Sequence, residues 1–429
     1  MNPSDSGIFS LASVGSYLDA LSSITAEMSL KDRSSLIFID KCLHQQWGLG
    51  QNVILNWCNE PRGIGLLVVP HYAIAEYSSR GDGADIDEIV ANERRVPPSQ
   101  EFFRGLLSRE RHLTSIQMEK VARLLGIERT VIPLRDPPPD VPAHRKIIEK
   151  MIQRYSISYV PHRAVALFDI VGFSLLNPFE QMNQINSLSY SLNSAQSKLL
   201  SKKIDINFAR SNTGDGFYIW NRDLSLEANI NLYHLMHLVL ADNAIARRKG
   251  RVQTVPRLRA SFHIGSCYEF HQAEGLNPTL YNYIVGDVTV ELARMIDRAL
   301  PDQILVGDFN AHFVCNGNGD EERISLDSVD FIHCAKEHLA ELEGIELSGE
   351  RVDAIKCYLT GPRIGDGEFT IRRIVINDKH GIAHHVFNAK VNIYRENAEP
   401  ILLGIEDKKL GSFDHALTSE PAPIERIGP

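Results

Sequence analysis

Two carboxylates stand out by where they fall in the chain. The apolar run VALFDIVGFSLL (165–176) reads as a buried strand, yet it delivers Asp169 to its own end, ahead of a Val-Gly-Phe turn. A buried carboxylate is expensive unless something positive meets it. The stretch SNTGDGFYIW (211–220) sets Asp215 in a tight Gly-rich connection between two further apolar runs. If those runs neighbour the first strand, Asp169 and Asp215 come close together. Like charges at that range raise one pKa unless a cation sits between them. Hard divalent ions with oxygen ligands, Mg²⁺ or Mn²⁺, suit such a place. The main-chain carbonyl of Ile170 would be a third ligand. The turn Val171, Gly172, Phe173 and Ser174, leading into a helix, offers N–H groups to phosphate oxygens. Taken singly, each aspartate has a plainer role as a turn residue or an N-cap. The pair is what points to a metal and a triphosphate.

Positioning the pair falls to an alternating series of elements. Residues 164–170 read as a strand, and 175–200 as an amphipathic helix carrying Phe179, Met182, Ile185, Leu188 and Leu192 on its apolar face. Strands at 204–210 and 216–220 follow, then a Leu-rich helix at 226–247 and a long strand at 258–268. The order β-α-β-β-α-β predicts an α+β fold of the ferredoxin-like kind, an antiparallel sheet with helices on one face. A helix at 287–299 and a strand at 303–307 extend it. Residues 316–322 read as a loop, 328–360 as largely helical, and FTIRRIVIND with HHVFNAKVNIYR as a closing strand pair. The end of the chain, from about residue 411, is polar and proline-bearing.

Upstream, RDPPPDVP (135–142) marks a boundary, because consecutive prolines fit neither a helix interior nor a central strand. Before it lies a smaller α+β region, with helices at 11–47 and 100–126, the latter ending at Gly126, and strands at 52–57 and 63–76. After it, Ile147, Ile148, Met151, Ile152 and Tyr155 share one helical face, which docks on the next domain or pairs with a second copy. The expected plan is an N-terminal regulatory domain at 1–135, a Pro-rich linker and connecting helix at 136–160, a catalytic domain at 161–400 and a tail at 401–429.

With 429 residues, 43% of them hydrophobic and 23% charged, the composition is that of an ordinary globular protein. A formal net charge of −9 argues against DNA and other non-specific nucleic-acid binding. Met1–Ser10 lacks a basic n-region, and no apolar stretch approaches a membrane span. The six cysteines show no Cys-x-x-Cys spacing, so buried thiols in a reducing cytoplasm are expected instead of a zinc site or a disulfide framework.

The blocks FDIVGFS, NTGDGF, RASFHIG, VGDVTVELARM and QILV, in that order and spacing, resemble the class III nucleotidyl cyclases, which include the adenylate and guanylate cyclases. The resemblance spans roughly residues 160–310, with a weaker match at 370–395. It implies that Asp169 and Asp215 bind two divalent ions per site. It also implies that Arg294 neutralises the transition state and that a homodimer shares its sites between chains. Lys379, in NDKHG, matches a triphosphate-binding lysine, or is an exposed loop lysine. His263 is expected in the core.

Two departures concern the base. Purine cyclases read it with Lys or Glu three residues before the hairpin glycine, and with Asp or Cys three before the later glycine; here those positions hold Ser211 and Tyr283. Val290 replaces the asparagine that helps orient the ribose. This combination resembles the bacterial pyrimidine cyclases of Pycsar antiphage defence, whose cyclic nucleotide activates a separate effector. With Ser211, Tyr283 and Arg210 as base-recognition candidates, donors outnumber acceptors, which favours uracil and so conversion of UTP to cyclic UMP. Arg210 and Ser211 are adjacent on a strand, so only one points into a pocket unless the strand bulges. A cytidylate cyclase, a purine cyclase and a non-catalytic nucleotide sensor are the alternatives. The absence of a Gly-Gly-Asp/Glu-Glu-Phe turn disfavours a diguanylate cyclase.

Overall fold

The structure is a computed structural model that describes residues 28–78, 100–204, 207–250, 254–273, 280–317, 320–364, 368–410 and 418–421. The expected helical stretch at 11–27 therefore lies outside the described residues, as does most of the far tail. The chain forms two compact units, Met1–Val160 with Tyr268–Ile284, and Pro161–Cys267 with Val285–Pro429.

In the first unit, β1 (Asn52–Glu60), β2 (Gly63–Pro70) and β3 (Arg129–Pro133) form an antiparallel sheet in that order. Helix α1 (Leu30–Trp47) packs on one face through Leu36, Ile39 and Leu43, against Ile54, Trp57 and Leu66. The segment read as strand up to residue 76 turns at His71 into α2 (His71–Ser78). The opposite sheet face is covered by α3 (Gln100–Ser108) and α4 (Ser115–Leu125), through Phe102, Leu106, Met118 and Val121. Both faces being covered explains why β1 is buried continuously from Val53 to Cys58 instead of alternating.

Sequence periodicity read 100–126 as one helix, but the chain breaks between α3 and α4 so that Arg111 can turn inward. Its guanidinium donates to Glu149 Oε1 at 3.3 Å, Ser156 Oγ at 2.9 Å, the Ile157 carbonyl at 3.0 Å and Ser158 Oγ at 2.9 Å. Glu149 also accepts from the Arg111 amide at 3.0 Å and from Trp57 Nε1 at 2.8 Å. Glu149 belongs to α5 (Pro142–Gln153), which starts with proline in its first turn. The apolar stripe of α5 packs within its own unit instead of on the next domain: Ile147, Ile148, Met151, Ile152 and Tyr155 join α1 in the core of the first unit.

The second unit is built on one long sheet. Its strands β4 (Ile157–Ile170), β5 (Phe208–Asn212), β6 (Gly216–Asn221) and β7 (Leu258–Ala273) lie in the order β7-β4-β6-β5. First, second, third and fourth strands of the repeat thus sit as 4-1-3-2, the ferredoxin-like arrangement expected of an α+β chain. Helices α6 (Pro178–Ser201) and α7 (Leu226–Lys249) cover one face, where Leu188, Leu192 and Leu235 meet Ala166, Phe168, Phe217 and Ile219. The stripe on α6 is set later than expected. Phe179 and Met182 are exposed, and burial begins at Gln184 and Leu188. A capping box between Asn177 and Glu180 starts this helix.

From β7 the chain continues through β8 (Leu280–Val285) and α8 (Asp287–Arg298) to β9 (Ile304–Gly307), which runs parallel to β7. A parallel neighbour requires a crossover, and α8 supplies it. Tyr218 shares the sheet face of Asp169, since Leu167 is registered opposite it, and its hydroxyl donates to the Thr289 carbonyl of α8 at 3.1 Å. Thus α8 lies on the face opposite α6 and α7, and helices do not keep to one side.

Two expectations downstream fail on strand content. Residues 316–322 are read as a loop, but 316–317 and 320–322 are strand, at the ends of the paired β10 (Asn310–Gly317) and β11 (Asp320–Asp327). The stretch 328–360, read as mostly helical, is helical only over α9 (Ser328–Glu337) and a short 3₁₀ segment to Leu342. It then forms β12 (Glu346–Leu347) and β13 (Glu350–Leu359), where Val352, Cys357 and Leu359 turn inward. Beyond a short pair, β14 (Arg363–Ile364) and β15 (Glu368–Phe369), the closing strands β16 (Arg372–Asn377) and β17 (Ala383–Arg395) pair as expected, and β18 (Ala398–Leu403) adds to them. Among the described residues no helix is long and apolar enough to cross a membrane.

Candidate active site

Asp169 is the last registered residue of β4 opposite β6, paired with Gly216. One residue further, the Ile170 amide donates to the Asp215 carbonyl at 3.0 Å, which fixes the β5–β6 turn against the end of β4. The approach is too close for any side chain: a Cβ on Gly216 would lie 1.8 Å from the Phe168 carbonyl oxygen. Gly214, with φ of 99°, takes the left-handed corner of the same turn. Sequence and backbone together therefore set the two carboxylates side by side.

Electrostatics at the pair are unbalanced. Burial pushes the Asp169 carboxyl above its ordinary pKa of 3.8; Arg259 opposes the shift and the Asp215 carboxylate adds to it. Arg259 Nε donates to Asp169 Oδ2 at 2.6 Å. Sequence reasoning passed over this arginine, although alternation along LRASFHIG puts Arg259 on the same face as Ser261, toward α8. Among the described residues no three His, Cys, Asp or Glu side chains gather into a cage. A cation here would draw oxygens from two carboxylates, from the Ile170 carbonyl and from a ligand of its own. Two adjacent carboxylates, one with its pKa raised by burial and then by its neighbour's charge, are a donor set that a divalent ion fits.

The turn after β4 differs from the expected helix start. Val171 N–H is committed to the Arg257 carbonyl at 2.9 Å. Gly172, in the left-handed region, heads a single 3₁₀ turn from Phe173 to Leu175, and α6 begins only at Pro178. Of the four turn residues expected to bind phosphate, Gly172, Phe173 and Ser174 are the ones whose amides open this turn.

The base-recognition candidates separate. Arg210 Nη1 donates to Ser189 Oγ on α6 at 3.0 Å, and its guanidinium lies over the Phe217 ring. It faces the helix side, away from Asp169. Ser211, registered opposite Tyr218, lies on the face of Asp169. Tyr283 belongs to the first unit, where it stacks on Phe270 with ring centroids 5.7 Å apart. Val290 is exposed on α8.

Arg294 projects from α8 to Asp378, with Nε 3.3 Å from Oδ2. Lys379, the next residue in that β16–β17 turn, is exposed. Sequence reasoning missed Asp378 and also His384, whose Nδ1 lies 2.7 Å from Glu291 Oε2 and whose Nε2 lies 3.6 Å from Asp378 Oδ2. Both fall within the weak 370–395 match, so the signal was present but unread. His263 is in the core, as expected; burial, then the charge of His384, lowers its pKa from 6.5 to about 4. Gly307 leaves it room, since a Cβ there would lie 2.2 Å from the imidazole Nδ1.

No family model and no curated protein matches this sequence. Among solved structures, the adenylyl cyclase CyaB from P. aeruginosa matches at 12% identity over 57% of this chain and 97% of that one, with a TM-score of 0.32. The guanylyl cyclase Cya2 matches at 14% identity over 40% and 91%, with a TM-score of 0.27. The guanylate cyclase domain of RhGC from Catenaria anguillulae, in complex with GTP, matches at 11% identity over 40% and 98%, with a TM-score of 0.28. Likenesses this distant do not bear on chemistry.

Proposed function

We propose that the second unit is a class III nucleotidyl cyclase, converting a nucleoside triphosphate, by preference UTP, to the 3′,5′-cyclic monophosphate and pyrophosphate. The observation that carries this is the juxtaposition of Asp169 and Asp215 across a glycine-only contact at one end of a 4-1-3-2 sheet. The ordered blocks FDIVGFS to QILV support it, since each falls on the element that the chemistry requires.

In this reaction the ribose 3′-oxygen attacks the α-phosphorus and pyrophosphate leaves. Asp169, Asp215 and the Ile170 carbonyl are the groups that would hold Mn²⁺ or Mg²⁺, which when bound lowers the pKa of the 3′-hydroxyl and takes up leaving-group charge. The amides of Gly172, Phe173 and Ser174 donate to phosphate oxygens. Arg294 donates to the phosphoryl oxygens as charge develops on them, and Lys379 holds the triphosphate. Ser211, on the face of Asp169, hydrogen-bonds the base; Arg210, bound to Ser189, is withdrawn from that role. The preference for a pyrimidine rests on Ser211 and Tyr283 occupying the sequence positions of the purine-reading residues, and, with Arg210 withdrawn, the choice of uracil rests on the resemblance. By the same resemblance the protein works as a homodimer in Pycsar-type defence, with cyclic UMP as the messenger to a separate effector.

The test is competition among ATP, GTP, CTP and UTP at equal concentration with Mn²⁺, products separated by mass. Cyclic UMP should dominate and should vanish in Asp169→Ala and in Asp215→Ala. A preference for ATP or GTP overturns the pyrimidine assignment, a preference for CTP only its uracil half. No product from any nucleotide overturns the enzyme itself. Mixing Asp169→Ala with Arg294→Ala protein should restore part of the activity, and failure in mixtures shown to exchange subunits places the whole site in one chain.

A further inference from the structure

We propose that Asp378 is the positioning residue for Arg294, an assignment resting on the proposed role of Arg294 at the phosphoryl oxygens. The Asp378 side chain is only 3% exposed, yet it lies in a surface turn between β16 and β17. Its Oδ1 accepts from the His380 amide at 2.8 Å and the Ile382 amide at 2.9 Å. With Gly381 at φ of 79° closing the turn, the carboxylate is held by its own backbone and cannot swing. What remains is Oδ2, presented to α8.

There α8 is tied twice. Arg294 Nε meets Asp378 Oδ2 at 3.3 Å, and one turn earlier Glu291 Oε2 meets His384 Nδ1 at 2.7 Å. Glu291 and Arg294, three residues apart, share a helix face. His384 stands between the ties, with its Nε2 3.6 Å from the same Oδ2, beyond hydrogen-bond reach. Burial opposes ionisation of Asp378, but the Ile382 and His380 amides, then Arg294 and His384, outweigh it and hold its pKa below the ordinary 3.8. The counter-ion is therefore charged at neutral pH.

The consequence for Arg294 lies in guanidinium geometry. The group is planar, so an ion pair made on its Nε side biases the direction of both terminal nitrogens at once. Among the described residues Asp378 is the acidic partner that Arg294 has. Among the described residues no acidic side chain is paired with the terminal nitrogens, which leaves them for another acceptor. An arginine oriented before substrate arrives does not lose its rotamer freedom during the reaction.

Asp378→Asn tests this directly. It keeps an oxygen for the two turn amides but puts an NH₂, which cannot accept, toward Arg294. Turnover should fall about 10- to 100-fold with KM changed less than about twofold, the range that partners of functional groups commonly give. In an Arg294→Ala background the same substitution should cost nothing more, because its effect runs through the arginine. Glu291→Gln, at a side chain 36% exposed, should give a smaller loss of the same kind. An equal loss from Asp378→Asn in both backgrounds, a larger loss from Glu291→Gln, or a rise in turnover (a brake instead of a guide) overturns the assignment. If the unaltered protein cyclises no nucleotide, it is the activity that fails. Positioning is then read by NMR from the Arg294 Nε–H signal, identified by its loss in Arg294→Lys. That signal should move in Asp378→Asn, and an unmoved signal overturns the proposal.

Discussion

Each unit buries a carboxylate beside an arginine, and the two are finished differently. In the first, Arg111 is satisfied from its Nε to both terminal nitrogens, while Glu149 takes further hydrogen bonds from Trp57 and a main-chain amide. In the second, Asp169 meets Arg259 but also a second carboxylate, and its pKa is raised. A closed network of donors and acceptors holds helices and strands in register. An incomplete one, with excess negative charge at a strand end, has room for a positive ligand. On the proposed function, the difference separates structural from functional burial better than burial itself does.

The largest effect of any single substitution should come from opening the closed network. Glu149→Ala leaves the Arg111 charge buried without its counter-ion, and thermal unfolding should show a loss of about 3–5 kcal/mol. A change under about 1 kcal/mol would mean that water replaces the carboxylate there, and the contrast between the units would weaken.

Acid should strike the second unit next. Burial lowers the pKa of both His234 and His263 from 6.5 to about 4, and drives His237 well below its usual value. The unfolded chain takes up these protons as pH falls through 6.5, while the folded state does not until about pH 4. Stability is therefore lost as pH falls across that window, about 3 kcal/mol for each of His234 and His263. Hydrogen exchange should show α7 and β7 losing protection over this range, and replacing His237 by Leu should blunt the loss.

The smallest effect should be on the fold when the open site is cut. Because the Asp169 pKa is raised, its carboxylate works against folding as pH rises from about the ordinary carboxylate value toward neutral, and the penalty is absent below that value. Asp169→Asn should leave unfolding within about 1 kcal/mol of the parent at pH 7, with any change a gain, while abolishing cyclisation. A loss as large as that from Glu149→Ala would make Asp169 a structural group.

How much of this was legible varies with the kind of signal. The β4 run and the β5–β6 turn were readable because apolar runs bounded by glycine leave little choice of structure, and they carried Asp169 and Asp215 with them. Arg259 was overlooked because its role depends on which neighbour a strand acquires, which period-two alternation alone does not state. The face of Arg210 could not be chosen until β5 was registered against β6. Residues 350–359 misled for a related reason: ERVDAIKCYL has apolar spacings that suit a helix, and only its neighbours β12 and β17 make it a strand. On α6, the periodicity was right and its origin was wrong, because the first turn lies outside the buried stretch.

The contact at Gly216 has an evolutionary consequence. Its backbone lies so close to Phe168 that the fold itself forbids any other residue, whereas on the proposed function the Asp215 side chain beside it serves the chemistry. A lineage that abandoned turnover would be free to drift at the aspartate while purifying selection still held the glycine. Descendants keeping the glycine without the aspartate would mark where catalysis was given up and the scaffold retained.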